Sequence, residues 1–297
     1  MVIVEIKGGL GNQLFQYCIG RSLALEKNTS LKLDISFYSD QSHADQSLLH
    51  SRFLLEQLNV PYTLCNDEEK SALVNKSRTT VARIKRKVNP YSTPLYIETG
   101  LNFDPNIFSL PADVYLTGWF QSEKYFLKHR DLLTKEISFS DFTDDANKAI
   151  ANQISSCHSV SIHVRRGDYF KSAENQSYFG ILDNNYYTKA INYINSKVPG
   201  AHFFLFSDDT DWVVKNFELS NNMTIVGSNN SSLPQNDMHL MSLCKHNIVA
   251  NSSFSWWAAW LNVNPGKIVV APALWFGTEP EKVKDIVPES WVKISNQ

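Results

Sequence analysis

The sequence has no excess of basic charge, no cysteine pairing pattern and no long apolar run, and each absence removes a class of function. Lysine plus arginine number 28 against 30 aspartates and glutamates over 297 residues, a formal net charge of -2. No global positive field is therefore available to hold nucleic acid or acidic membranes non-specifically, and any anion site must be local. Cys18, Cys65, Cys157 and Cys244 are scattered, with no C-x-x-C pair, which argues against a zinc site or a disulfide framework and fits a reducing compartment. No apolar run approaches the ~18 to 20 residues of a membrane span. Glu5 and Lys7 interrupt the N-terminal stretch where a signal peptide would be apolar. These features predict a cytoplasmic protein without a transmembrane segment, in which the sequons at Asn28, Asn75 and Asn251 are chance. Internal repeats, low-complexity tracts and a clean linker are also missing.

What is present is an alternation of short β-branched runs with amphipathic helical patterns. VIVEI (2–6) reads as a strand, a helix follows from about Asn12, and LKLDI (31–35) is a second strand. The pattern weakens between about 36 and 110, where ARIKRKVN (82–89) reads as a solvated charged face rather than an anion patch. YLTGWF (115–120) resumes the sheet. Strands are then expected at SVSIHVR, HFFLFS (202–207), MTIVG (223–227), NIVA (247–250) and KIVVA (267–271), with helices near 144–156, 184–196, 239–246 and 253–262. Such alternation predicts parallel sheets covered on both faces. The expected architecture is α/β, with two Rossmann-like domains, 1–150 and 151–297, flanking a cleft.

Four segments carry candidate chemistry. In SIHVRRGDY (161–169), alternation along a strand points His163 and Arg165 the same way and Arg166 the other. At the carboxyl end of a parallel strand, His163 and Arg165 would enter the crevice where open α/β sheets bind ligands. The Arg165 guanidinium fork suits phosphate, while Arg166 pairs with Asp168 as a structural brace around Gly167. In HNIVANSSFSWWAAW (246–260), Ser252 or Ser253 caps a helix whose N-terminal amides form an anion site; Trp256 and Trp257 read as core. In FLFSDDTDW (204–212), Asp209 and Asp211 match a short D-x-D metal signature weakly. The sharper reading gives Asp208 a ribose or base edge and lets Asp209 or Asp211 cap the next helix. In KGGLGNQLFQY (7–17), Gly9 and Gly11 with Asp34 suggest a dinucleotide fingerprint, but Leu14 stands where the third glycine belongs. The alternative is that the glycines admit a ligand to the backbone and the Asn12 side chain acts as a directed donor.

Together, GGLGNQLFQY, LDISFY (33–38), TGWFQSEKYF (117–126), the H-x-R-R-x-D-Y motif, FSDD and NSSFSWW resemble glycosyltransferase family 11, the α-1,2-fucosyltransferases, particularly its bacterial members. The resemblance covers most of the chain. It implies a GT-B-like fold with an N-terminal acceptor-side domain and a C-terminal domain binding GDP-L-fucose. It also implies an inverting transfer to a galactose 2-hydroxyl of a glycan, with no obligatory metal and no other cofactor. By the same resemblance Arg165 binds the β-phosphate, His163 and Asp208 help hold guanosine, and Asn251, Ser252, Ser253 and Phe254 close on the pyrophosphate beside Gly9 and Gly11. Trp119 and Gln121 fall on the acceptor side. An O-antigen intermediate, lipid-linked and met peripherally at the inner membrane face, is the acceptor it suggests.

An inverting displacement also needs a group to take the acceptor proton. No motif names one; Asp34, at the end of the second strand, and Glu123, after Trp119 and Gln121, are the candidates. Two other classes stay open: a nucleotide-dependent oxidoreductase using Gly9, Gly11 and Asp34, and a non-catalytic glycan-binding protein using aromatic stacking surfaces.

Overall fold

The computed structural model describes residues 1–39, 52–167, 180–218, 220–227, 229, 233–277 and 283–296. Asp168 falls outside the described residues. The chain divides into two units, Met1–Ser138 and Phe139–Gln297, ahead of the division expected at residue 150. The reason lies in one helix, α5 below, which belongs wholly to the second unit.

The first unit contains β1 (Val2–Glu5), α1 (Leu10–Glu26), β2 (Leu31–Asp34), α2 (Asp67–Arg78), α3 (Thr80–Val88), β3 (Leu95–Ile97), β4 (Val114–Thr117) and α4 (Arg130–Glu136). Its four strands form a parallel sheet in the order β2-β1-β4-β3. Glu5 is paired in register with Asp34, and Ile97 with Thr117. Three acids, Glu5, Asp34 and the next residue after β3, Glu98, thus end three strands on one edge of the sheet. The helix expected from Asn12 begins at Leu10, and it is buried on nearly every side, including Gln13 and Gln16. The expected strand 115–120 stops at Thr117, because Gly118–Phe120 turn sharply and buried Phe120 takes φ +51.

The second unit contains α5 (Asp145–Ser155), β5 (His158–Val164), α6 (Asn184–Lys197), β6 (Ala201–Ser207), α7 (Thr210–Asn216), β7 (Met223–Val226), α8 (Pro234–Leu243), β8 (His246–Ile248), α9 (Ser253–Leu261), β9 (Val269–Pro272) and β10 (Val292–Ile294). Its sheet is parallel throughout, in the order β10-β9-β8-β5-β6-β7. Asn147 on α5 donates to Asn229 Oδ1 at 2.7 Å, and Asn229 donates to Asp237 on α8 at 2.6 Å. That network ties α5 to this unit, and burial pushes the Asp237 carboxyl up to about 6.

β5 shows why the central strand reads so clearly. Val160, Ile162 and Val164 pack with Tyr186, Tyr187, Ala190 and Ile194 of α6 in one apolar cluster. Ser159, Ser161 and His163 alternate with them and are also buried. Their layer is polar but bonded: Asn247 donates to Ser161 Oγ at 2.8 Å, and Asn262 donates to Asn247 Oδ1 at 2.8 Å. Trp256 and Trp257 are fully buried, with Trp256 Nε1 donating to the Ile286 carbonyl at 2.8 Å. Both are core residues, as expected.

Candidate active site

The second unit assembles a cationic turn at the end of β5. Beyond Val164 the chain leaves the strand, and Asp208, just past β6, gathers Arg165, Arg166 and Gly167. Its carboxylate accepts from Arg166 N at 2.9 Å and Gly167 N at 3.1 Å, and lies 3.0 Å from Arg165 Nη1. A Cβ at Gly167 would come within 2.8 Å of Asp208 Oδ2, so this position needs glycine for close approach. Arg166 turns to the start of α7, its guanidinium 4.0 Å from the centre of the Trp212 ring and its Nε 3.5 Å from Asp209 Oδ2. It is braced by Asp209 and Trp212; the partner expected for it, Asp168, lies outside the described residues. Asp209 also caps α7 through a 3.0 Å bond from Trp212 N. Asp209 is thereby engaged twice, and among the described residues no three His, Cys, Asp or Glu side chains form a metal-holding group.

His163 lies one residue from this turn, 5 % exposed and 5.6 Å from the Phe254 ring of α9. Burial pushes its imidazole down to about 4, with Asp208 opposing the shift and Arg165 adding to it. The ring is neutral near pH 7, and its buried Nδ1 has no hydrogen-bond partner among the described residues. Ser252 caps α9, its Oγ accepting from Phe254 N at 3.3 Å. Asn251 is anchored by a 2.8 Å bond to the Gly180 carbonyl. His163 and Phe254 are thus brought together, and Arg165 is held by Asp208. A fixed guanidinium and a helix N-terminus of this kind are donors for an anion.

In the first unit the glycine turn is organised partly by residues that no motif singled out. Gly8, at φ +76, takes the left-handed conformation, and a Cβ there would lie 3.0 Å from Asn12 Nδ2 and 3.2 Å from the Trp119 ring. Gly9 is the N-cap of α1 and Gly11 is buried in its first turn. Asn12 accepts from Gln121 Nε2 at 2.7 Å, so Asn12, Trp119 and Gln121 do converge. Two buried glutamines staple the surrounding loops. Gln13 donates to the Gly8 and Arg52 carbonyls and accepts from Leu54 N; Gln16 accepts from Lys7 N and donates to the Gly118 carbonyl. Two glutamines three residues apart among the apolar residues that open the helix were the signal available for them.

The two acids expected as bases, Asp34 and Glu123, both stand in contacts with basic side chains. Asp34 is 3 % exposed and saturated: it accepts from Tyr115 at 2.6 Å and Ser36 N at 3.0 Å and pairs with Lys70 at 2.7 Å. Burial raises its pKa, but the Lys70, Tyr115 and Ser36 bonds outweigh it and the net shift is downward. Those bonds occupy its carboxylate, which is therefore not open to a ribose. Glu123 sits in a 3₁₀ turn with its carboxylate 3.9 Å from Arg130, bracing that turn against α4.

Glu98 is the acid that sequence reasoning missed. Glu5 pairs with Lys7 at 2.8 Å and Asp34 with Lys70, whereas half-buried Glu98 accepts from the backbone, Trp119 N at 2.6 Å and Phe120 N at 3.1 Å. Left-handed backbone at a bulky residue costs ~1 to 3 kcal/mol, so the Phe120 turn that delivers those amides is held against strain. Burial pushes Glu98 up to about 6 even though both amides and Lys7 lower it. Beside it Trp119 leaves 38 % of its surface exposed, with Lys7 Nζ 5.3 Å from its ring centre.

Two units, each a parallel sheet with covering helices, have the GT-B fold. NodZ α-1,6-fucosyltransferase soaked with GDP-fucose has the same fold, with a TM-score of 0.51 and 14 % identity over 91 % of this chain and 94 % of that one. A mutant of Arabidopsis thaliana FUT1 in complex with GDP matches at 0.51 and 10 % identity, over 91 % and 70 %. The chain belongs to glycosyl transferase family 11, whose model matches residues 1–295. It is 33 % identical to the α-1,2-colitosyltransferase of Escherichia coli over 99 % of both chains. It is 31 % identical to the O-antigen biosynthesis glycosyltransferase WbnK of Escherichia coli, over 97 % of this chain and 99 % of that one. The human galactoside α-(1,2)-fucosyltransferase 1 is 25 % identical over 49 % of this chain and 42 % of its own.

Proposed function

We propose that the enzyme is an inverting galactoside α-1,2-fucosyltransferase, moving L-fucose from GDP-β-L-fucose to the 2-hydroxyl of a galactose in an O-antigen-type glycan, in the cytoplasm. The observation that carries this is the match to family 11 over 1–295, with relatives of α-1,2 specificity. The second unit holds the donor. Arg165 and the α9 N-terminus at Ser252 and Ser253 receive the pyrophosphate, and neutral His163 offers Nδ1 to the nucleoside. Asp208 fixes the turn that carries Arg165. Charge grows on the β-phosphate as the sugar bond breaks, so donors fixed there stabilise the transition state more than the ground state. They supply this without a required metal.

The first unit holds the acceptor, with Trp119 as a stacking platform and Gln121 and Asn12 as polar contacts. Glu98 takes the proton. The acceptor O–H bond breaks, its oxygen bonds the anomeric carbon, and the electron pair of the departing C–O bond leaves on GDP. A carboxylate poised near 6 is a stronger base than an ordinary one while still ionised at neutral pH.

A second donor reading rests on the 33 % identity to a colitosyltransferase. Colitose is L-fucose without its 3-hydroxyl. A site that hydrogen-bonds that hydroxyl discriminates against the deoxy sugar by ~10⁴- to 10⁵-fold, whereas a site that does not would accept both. Incubation with GDP-fucose and GDP-colitose against a panel of galactosides, with product mass and linkage determined, tests both readings; transfer from neither donor overturns them together.

A further inference from the structure

Outside the site, the stretch that follows the acidic first turn of α2 (Asp67, Glu68, Glu69) and continues through α3 stands apart from the rest of the chain in its charge. From Lys70 to Ile97 there are seven cations, Lys70, Lys76, Arg78, Arg83, Lys85, Arg86 and Lys87, and no acid, within a chain of net charge -2. The last four lie on α3, whose start is capped by Thr79 Oγ1 accepting from Ala82 N at 3.2 Å. Cations in its final turn complement the helix dipole.

The apolar residues of α3 are not used for packing. Val81, Ile84 and Val88 are 64 %, 59 % and 83 % exposed, and no residue of the helix is buried. Their i, i+3, i+7 spacing puts them on one stripe, with Lys85 and Lys87 flanking it on either side and Arg83 and Arg86 on the opposite side. Exposed apolar residues scattered singly are ordinary. A β-branched stripe flanked by Lys85 and Lys87, on a helix without any acid, is the pattern of a helix that lies in a membrane interface.

We infer that α3 docks on an anionic lipid surface, with Val81, Ile84 and Val88 entering the headgroup boundary and the flanking cations meeting acidic headgroups. The charge complementarity selects this occupant: a second copy of the stripe would bring Lys85 and Lys87 against the same pair of cations, whereas acidic headgroups would neutralise them. No helix among the described residues is long and apolar enough to span a bilayer, and docking of this kind needs none. Its purpose, bringing the enzyme to lipid-linked acceptors, rests on the proposed function; the surface itself does not.

The test is flotation of the full chain with vesicles of phosphatidylcholine alone or mixed equally with phosphatidylglycerol, at low and high salt. Wild type should float with the mixed vesicles, release as salt screens the cations, and stay behind with phosphatidylcholine. Ile84→Ser with Val88→Ser, and separately Lys85→Glu with Lys87→Glu, should each lower partitioning on the order of tenfold while keeping the wild-type melting curve and transfer to a soluble galactoside. Absence of wild-type binding, equal binding by the variants, or a concentration-dependent dimer abolished by Ile84→Ser would each overturn the inference. Because flotation needs no turnover, lipid binding can fail while transfer succeeds, and the reverse.

Discussion

Where the first sheet ends in Glu5, Asp34 and Glu98 beside an exposed indole, the second ends in His163, Arg165 and Arg166 with a capped helix nearby. The folds of the two units are alike, parallel sheets with covering helices, so the difference lies in which charges the strand ends carry and how they are neutralised. In the first, two acids are cancelled by lysines and the third by backbone amides. In the second, one aspartate holds a cationic turn in place. The first edge suits a neutral polyol with a proton to lose, and the second suits an anion whose charge grows.

The sharpest way to break that comparison is Glu98→Gln. A glutamine Oε1 can still accept from Trp119 N and Phe120 N, so the turn survives, but the proton acceptor is gone. Turnover should fall ~10²- to 10⁴-fold, with an unchanged melting curve and little change in acceptor KM. The pH profile works as a second readout. The carboxyl must be ionised, and its pKa is raised to about 6, so wild-type kcat/KM should be full above that value and decline as pH falls through it. The variant should lack that limb. Full activity in Glu98→Gln reduces Glu98 to a clamp for the Phe120 turn.

On the other edge, Arg165→Lys should lower kcat by ~10²- to 10³-fold, since lysine lacks the planar fork. Arg166→Lys loses its stack on Trp212, which should appear in the melting curve at about 1 kcal/mol with most turnover kept. The reverse pattern would invert the roles assigned to the two arginines.

How legible these edges were in the sequence depends on the range of their contacts. His163 lies at the end of a strand rich in β-branched residues, and Arg165 and Ser252 follow strands within the same continuous motifs, so they could be read locally. Asp34 looked like a free acid at a strand end because its partners, Lys70 on α2 and Tyr115, 81 residues away, are invisible locally. β3 is three residues long, too short to show alternation. Glu98 acquires its character from a turn at Trp119 and Phe120 that the same alternation made look like strand.

A smaller effect sharpens the nucleotide end. With His163 buried and neutral, replacing it by alanine should weaken GDP binding and narrow its margin over UDP and ADP. That margin in wild type should be ~10- to 100-fold, the range expected when a wrong base leaves buried polar groups unpaired. Equal binding of all three nucleotides by wild type, measured by calorimetry, removes base reading from this edge. Addition of EDTA should leave most wild-type activity, and activity lost to EDTA and restored by manganese would return Asp209 and Asp211 to the argument.

The smallest expected effect on turnover belongs to Asp34→Asn, and it decides whether the three strand-end acids really differ. Asp34 works through bonds made by its ionised form to Tyr115, Lys70 and Ser36, so the loss should be one of stability, about 2 kcal/mol from charge-assisted bonds. Its folded pKa is depressed. The stabilisation is therefore present above the ordinary carboxyl value of about 3.9 and disappears as pH falls below it through the lower folded value. Melting curves should show the variant trailing wild type at neutral pH and the gap closing on strong acidification, while kcat per folded molecule stays within about threefold, under the 1.4 kcal/mol of a tenfold change. A well-folded Asp34→Asn protein with a hundredfold loss in kcat would instead move the proton acceptor from the end of β3 to the end of β2.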